Sequence, residues 1–225
     1  MHTSPLSSCA KAEVRESLEY YKSLGYAGVF ITDHFIDGNI DRNVRTLPYE
    51  EKIEYFFRLQ ESAVLLGENL GIKVFPGFEM SYAGTDFLVY GIDKDWCMRH
   101  KDMDKMRKTE LLTLLANDGA LIIHAHPFRE AGYIDHIRLF PRHVHGVEVY
   151  NASMSDFVNQ RAEEYSKNYA LIRFAGSDNH RGPATKSLAG MATEAPLKDV
   201  NDFISAVLSG NAKPFKKDEN GIYFI

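Results

Sequence analysis

Two imidazoles, one residue apart, close the apolar run Leu121-Ile-Ile-His-Ala-His-Pro127. Side chains i and i+2 of a strand share a face, so His124 and His126 are expected to look into one cavity. Imidazole is the commonest protein ligand for metal ions and also titrates near neutral pH. The same residue types recur down the chain. His2 stands near the start, Asp33-His34 follow Gly28-Val-Phe-Ile-Thr32, Glu79 ends Pro76-Gly-Phe-Glu, and Asp178 and His180 lie in Gly176-Ser-Asp-Asn-His. Each alone has an ordinary explanation as a satisfied core histidine, a helix cap or a turn residue. Their repetition at the ends of successive apolar runs points instead to a metal centre. Imidazole with carboxylate suits Zn, Mn or Fe. Of two cysteines, Cys9 and Cys97, only Cys9 falls where it could join, which argues against a structural thiolate zinc site. Six or more ligands exceed one tetrahedral ion, so two or three divalent ions sharing a carboxylate are expected.

The elements that must carry these groups are legible from apolar spacing. Ser7 and Ser8 precede a helix with Val14, Leu18 and Tyr21 on one face, stopped at Gly25. Pro48 opens a long helix whose stripe is Ile53, Phe56, Phe57, Gln60, Ala63, Val64 and Gly67, ended by Gly71. Further helices are expected over 103–116, after Ser153 or Ser155, and over 200–208. Strands are expected at 28–32, 72–75, 86–92, 120–124, 146–150, 171–175, near 188–192 and at 222–225. Strands alternating with helices imply one α/β domain, 1–225, with a mostly parallel sheet, closed or nearly so. In such a barrel the strand ends meet at one mouth.

The 225 residues carry a net charge of −5 with no block of like charge, so a nucleic-acid partner is not expected. No run is apolar for long enough to span a membrane, and there is no signal peptide. With two cysteines and no disulfide framework, the expectation is a cytoplasmic protein.

The order His-Thr-Ser-Pro at 2–5, Thr-Asp-His at 32–34, Pro-Gly-Phe-Glu at 76–79, His-Ala-His-Pro-Phe-Arg at 124–129 and Gly-Ser-Asp-Asn-His at 176–180 resembles the PHP (polymerase and histidinol phosphatase) family. The resemblance implies a distorted (β/α)7 barrel and two or three metal ions. It makes Glu79 the bridging carboxylate, His2 and Asp178 ligands of one ion, His126 of a second, and His34 and His180 of a third. Asp86 falls where many members carry a ligand histidine. His124 is a ligand or a partner behind the ligands, and Asp33 a group orienting a ligand. The family begins with His-x-His at the end of a first strand. Here Met1 stands at x, so that strand is expected to be truncated or missing, and either the start lies upstream or one ligand is lost. Members often carry an acidic residue or histidine five or six positions after the second histidine, where this chain has Ser7 and Ser8.

The chemistry implied is hydrolysis of a small phosphomonoester or nucleotide by a metal-activated hydroxide at a di- or trinuclear centre. Glu79, His180 and Arg129 are the expected catalytic groups. Arg129, with Arg42 or Arg45, would grip phosphate. The alternatives are a degenerate metal- or nucleotide-binding member without turnover, or an amidohydrolase-like hydrolase.

Overall fold

The computed structural model describes residues 1–36 and 38–225. Asp37, in the polar loop after the first strand, lies outside the described residues. The first helix, α1 (Val14–Ser23), begins later than the serines suggested. Residues 3–13 instead form a loop, bridged to Ile40 and, through Lys11 N, to His180 O. Strand β1 (Gly28–Ile31) pairs in parallel with β2 (Lys73–Pro76). Between them run the short α2 (Arg42–Arg45) and the 22-residue α3 (Tyr49–Leu70), which ends at the left-handed Gly71. The buried face of α3 carries Ile53, Phe56, Phe57, Gln60, Ala63 and Gly67. A Cβ at Gly67 would lie 2.5 Å from Val74 Cγ2, so glycine lets this helix rest on β2.

The second sheet differs from the expected parallel one. Its order is β3 (Phe78–Tyr82), β4 (Thr85–Tyr90), β5 (Leu121–Ala125), β6 (Gly146–Asn151) and β7 (Ile172–Gly176). The pairs β3–β4 and β4–β5 are antiparallel, and only β5–β6 and β6–β7 are parallel. The expected helix at 103–116 divides into a 3-10 turn, Met103–Lys105, and α5 (Lys108–Asn117), preceded by α4 (Lys94–Arg99). Ser155 caps α6 (Asp156–Tyr169) through Val158 N. The chain ends with β8 (Leu188–Thr193), α7 (Val200–Leu208), β9 (Ala212–Asp218) and β10 (Gly221–Phe224), whose strands form a third, antiparallel sheet.

The core has two main parts. Phe35, Phe56, Phe78 and Phe87 pack with Leu111, Leu112 and Leu115 beneath α3 and α5. Tyr90, Phe174, Phe203 and Val207 pack beneath α7. Burying each large apolar side chain stabilises by about 1.5–3 kcal/mol. That base allows the strand ends to hold buried charge.

Among the described residues the three sheets are not hydrogen-bonded into one closed ring. On its side away from β2, β1 is met by Met1, whose amino group donates to Phe30 O at 3.1 Å and whose carbonyl accepts from Thr32 N at 3.0 Å. His2 N donates to Asn179 O, 3.0 Å away across the gap. Below Met1 a cavity of about 530 Å³ opens between β1 and β7, walled by Phe30, Tyr90, Phe174, Met191 and Phe203. Among the described residues no helix is long and apolar enough to cross a membrane.

Candidate metal centre

Asp33 organises the first ligand from behind. Its carboxylate accepts hydrogen bonds from Thr3 N, Thr3 Oγ1 and Ser7 Oγ, each at 2.6 Å. Ser7 thus spends its proton on Asp33 and accepts from His34 N at 3.0 Å. It faces His2 Nδ1, 3.3 Å away, as an acceptor. That arrangement assigns the His2 proton to Nδ1 and leaves the Nε2 lone pair free. Nε2 lies 3.3 Å from Asp178 Oδ1 and 3.5 Å from Glu79 Oε2.

Glu79 is the hub, 2 % exposed and set in β3 rather than in a loop after β2. His34 Nδ1 lies 3.0 Å from Oε2 and His126 Nε2 lies 3.4 Å from Oε1. Asp86 Oδ2 is 3.9 Å from His126 Nε2. Arg129 Nη2 donates to the same Asp86 oxygen at 2.8 Å. The His180 ring stacks on His2 at 4.3 Å, and His34 lies 4.5 Å from His2. Among the described residues two sets of ligand atoms result, the atoms of each within 4.8 Å of one another: Glu79, Asp86 and His126, and His2, Cys9, His34 and His180.

The structure separates His124 from His126. In the β4–β5 ladder Phe87 stands opposite His124, and Asp86 opposite Ala125, so His124 points away from Asp86. Its imidazole is fully buried among Phe87, Phe140 and Tyr165, with no hydrogen-bond partner for either nitrogen. His124 joins neither ligand set. His126 escapes the i, i+2 rule because it follows the strand with φ +26°, which turns its side chain back toward Asp86. Asp178, φ +46°, turns inward the same way. Such conformations are costly for residues with a Cβ and persist only where neighbours hold them. Here Glu148 Oε2 accepts from His126 N at 3.1 Å, and Ser153 Oγ donates to Asp178 O at 3.0 Å.

Of the three arginines expected near phosphate, Arg129 and Arg45 line a cleft of about 540 Å³ that also meets His34, Asp86, His126 and His180. Arg45 donates to Gly38 O at 2.8 Å. Arg42 is exposed on α2 and does not line the cleft.

The charges are tightly balanced. Burial pushes the Glu79 carboxyl up, but His2, His126 and His34 outweigh it and hold it well below the usual carboxylate range. Burial depresses His126 and His34, yet Glu79 and, for His34, Cys9 carry them to about 9 and about 11. Burial next to Glu79 raises Asp86. The imidazoles therefore hold protons where the carboxylates call for positive charge. Divalent cations would supply that charge instead, and the oxygen and imidazole donors fit such ions.

Two residues of the site escaped sequence reasoning. Glu148 sits inside the apolar strand β6 and accepts from His126 N and from Asn151 Nδ2 at 2.8 Å. Burial raises its carboxyl to about 7 against the pull of His126. A carboxylate within Gly146-Val-Glu-Val-Tyr150 was the available signal. Ser7 precedes a helix in the sequence, and only the fold makes it the link from Asp33 to His2.

No family profile and no curated protein matches this chain. Solved structures do. A two-domain protein from Bacteroides vulgatus, described as containing a predicted PHP-like metal-dependent phosphoesterase, superposes with a TM-score of 0.63 at 14 % identity. The match takes in 97 % of this chain and 63 % of that longer one, so this chain spans less than two thirds of it. PsfC from Pseudomonas syringae matches with a TM-score of 0.60 at 18 % identity, over 91 % of this chain and 86 % of its own. An amidohydrolase from Chromobacterium violaceum, solved with sulfate and no metal, matches with a TM-score of 0.52 at 14 % identity, over 91 % and 94 % of the two chains. At these identities the likeness is one of fold.

Proposed function

We propose that this chain is a PHP-like metal-dependent phosphoesterase acting on a small phosphomonoester or nucleotide, and that its sheets are parts of a distorted barrel. The observation that carries the reading is the clustering of His2, His34, Asp86, His126, Asp178 and His180 around Glu79, beside a cleft with Arg129 at its wall. Bound divalent ions would acidify a water and neutralise phosphoryl oxygens. Glu79 would be shared between ions, with His2 and Asp178 on one side and Asp86 and His126 on the other. His34 and His180 would serve a third.

The chain's own groups do the rest. Arg129 reaches phosphate by turning from Asp86, which a cation can then take over. Tyr133 backs the guanidinium at 5.8 Å. His180 borders the cleft with Nδ1 2.9 Å from Asp178 O, an arrangement that leaves Nε2 to hold an ion. Asp33 and Ser7 keep His2 in one tautomer.

The test is metal content by elemental analysis together with hydrolysis of a generic aryl phosphate. Two or more ions per chain and turnover that depends on manganese or zinc support the reading. A full metal complement without turnover overturns it. The fold shared with the Chromobacterium violaceum amidohydrolase motivates a second reading, hydrolysis of an amide or lactone. Turnover of those substrates in preference to phosphoesters would favour it.

A further inference from the structure

The metal-binding reading accounts for every member of the cluster except a cysteine. Cys9 is half-buried, and its sulfur is one of four ligand atoms, with those of His2, His34 and His180, that lie within 4.8 Å of one another. Cys9, His34 and His180 all line the same cleft. Its position is held from both sides. Ser8 N donates to Asn39 O at 2.9 Å, Ala10 N donates to Ser7 O at 3.0 Å, and Lys11 N donates to His180 O at 2.8 Å. The loop that carries Cys9 is therefore tied to the 38–41 segment and to the His180 backbone. Ser7 is committed to Asp33 and Ser8 is exposed, so neither offers an oxygen to this corner of the cleft.

We propose that Cys9 is a thiolate ligand, with His34 and His180, of one divalent ion, and that its sulfur makes this position select zinc over manganese. The inference rests on the metal-dependent reading above and adds a soft donor to it. As the metal–sulfur bond forms, the thiol proton leaves to solvent, with no change in oxidation state. Thiolate with imidazole favours zinc, whereas carboxylate-rich positions accept manganese readily. The set formed by Glu79, Asp86 and His126 is of the second kind. The cleft would thus hold chemically unequal ions, and metal analysis should return a mixture when both metals are offered.

The experiment is cobalt substitution of the metal-stripped chain, followed by near-ultraviolet absorption, with no substrate present. A sulfur-to-cobalt charge-transfer band is expected in the unaltered chain and in Cys97→Ser, since Cys97 is fully buried in the core beside Trp96. Cys9→Ser should lose the band. Cys9→Asp, which restores a charged oxygen, should keep an ion there without the band and lower the zinc-over-manganese preference at that position by about ten-fold or more. Circular dichroism of both variants checks the fold. Cobalt bound without the band, or a band that survives Cys9→Ser, overturns this inference and leaves the phosphoesterase reading standing. No cobalt uptake at all overturns both.

Discussion

His124→Phe isolates a group that lies within reach of the metal centre in sequence but not in space. Burial among three aromatic rings depresses the His124 imidazole from 6.5 to about 3, with a smaller contribution from His126. A depressed folded-state pKa means the unfolded chain binds the proton first. The stability is therefore fully present above pH 6.5 and is lost as pH falls toward 3. Between pH 8 and pH 5 the unfolded state gains roughly 1.5 pH units of protonation free energy, or about 2 kcal/mol. His124→Phe removes this term and keeps the ring packed against Phe87, 5.2 Å away. It also removes two buried nitrogens with no partner, each costing about 1–3 kcal/mol, against an overpacking penalty of similar size. The two terms offset in part, leaving the variant about 1–3 kcal/mol the more stable at pH 8, and the pH dependence carries the information. Urea unfolding of the metal-stripped proteins at pH 8 and pH 5 should show the variant losing about 2 kcal/mol less than the parent on acidification. Metal content should be unchanged. Parallel pH profiles, or an ion lost from the variant, would refute the placement of His124 outside the centre.

Glu79→Gln should release at least one ion per chain by elemental analysis and abolish aryl phosphate hydrolysis. In the metal-stripped protein it leaves His34 and His126 without their carboxylate, so unfolding in urea should come earlier by about 3–5 kcal/mol. Arg129→Met should lower kcat/KM for a phosphomonoester by roughly ten- to a hundred-fold, from a lost charged hydrogen bond of about 1.5–3 kcal/mol, while metal content holds. An unchanged kcat/KM would place Arg129 outside the phosphate site. Asp33→Asn turns an amide toward the donors on Thr3 and Ser7, and should cost about 1–3 kcal/mol in urea. It should also weaken metal binding through His2, and normal affinity by titration calorimetry would remove Asp33 from that role.

Much of the scaffold was readable because it depends on short-range spacing. The apolar stripe of α3, the β-branched runs of β1 and β5 and the cap at Ser155 are set by neighbours within a few residues, and the structure places them as expected. The ligand-capable residues His2, His34, Glu79, Asp86, His126, Asp178 and His180 were also visible, because carboxylates and imidazoles at the ends of apolar runs stand out. Tertiary structure decided which way they point. A regular strand would have sent His124 and His126 to one face, but the ladder with β4 pairs His124 with Phe87, and a left-handed backbone at His126, held by Glu148, returns only that ring to Asp86. Strand β3 and the antiparallel pairing of β4 arise from hydrogen bonds between segments whose local patterns also suit a parallel sheet. Glu148 and Cys9 look like an isolated strand charge and a loop cysteine until remote backbone contacts carry them beside His126, His34 and His180. Element type is a local property of the chain, whereas register, side-chain direction and the meeting of charges across the cleft belong to the folded whole.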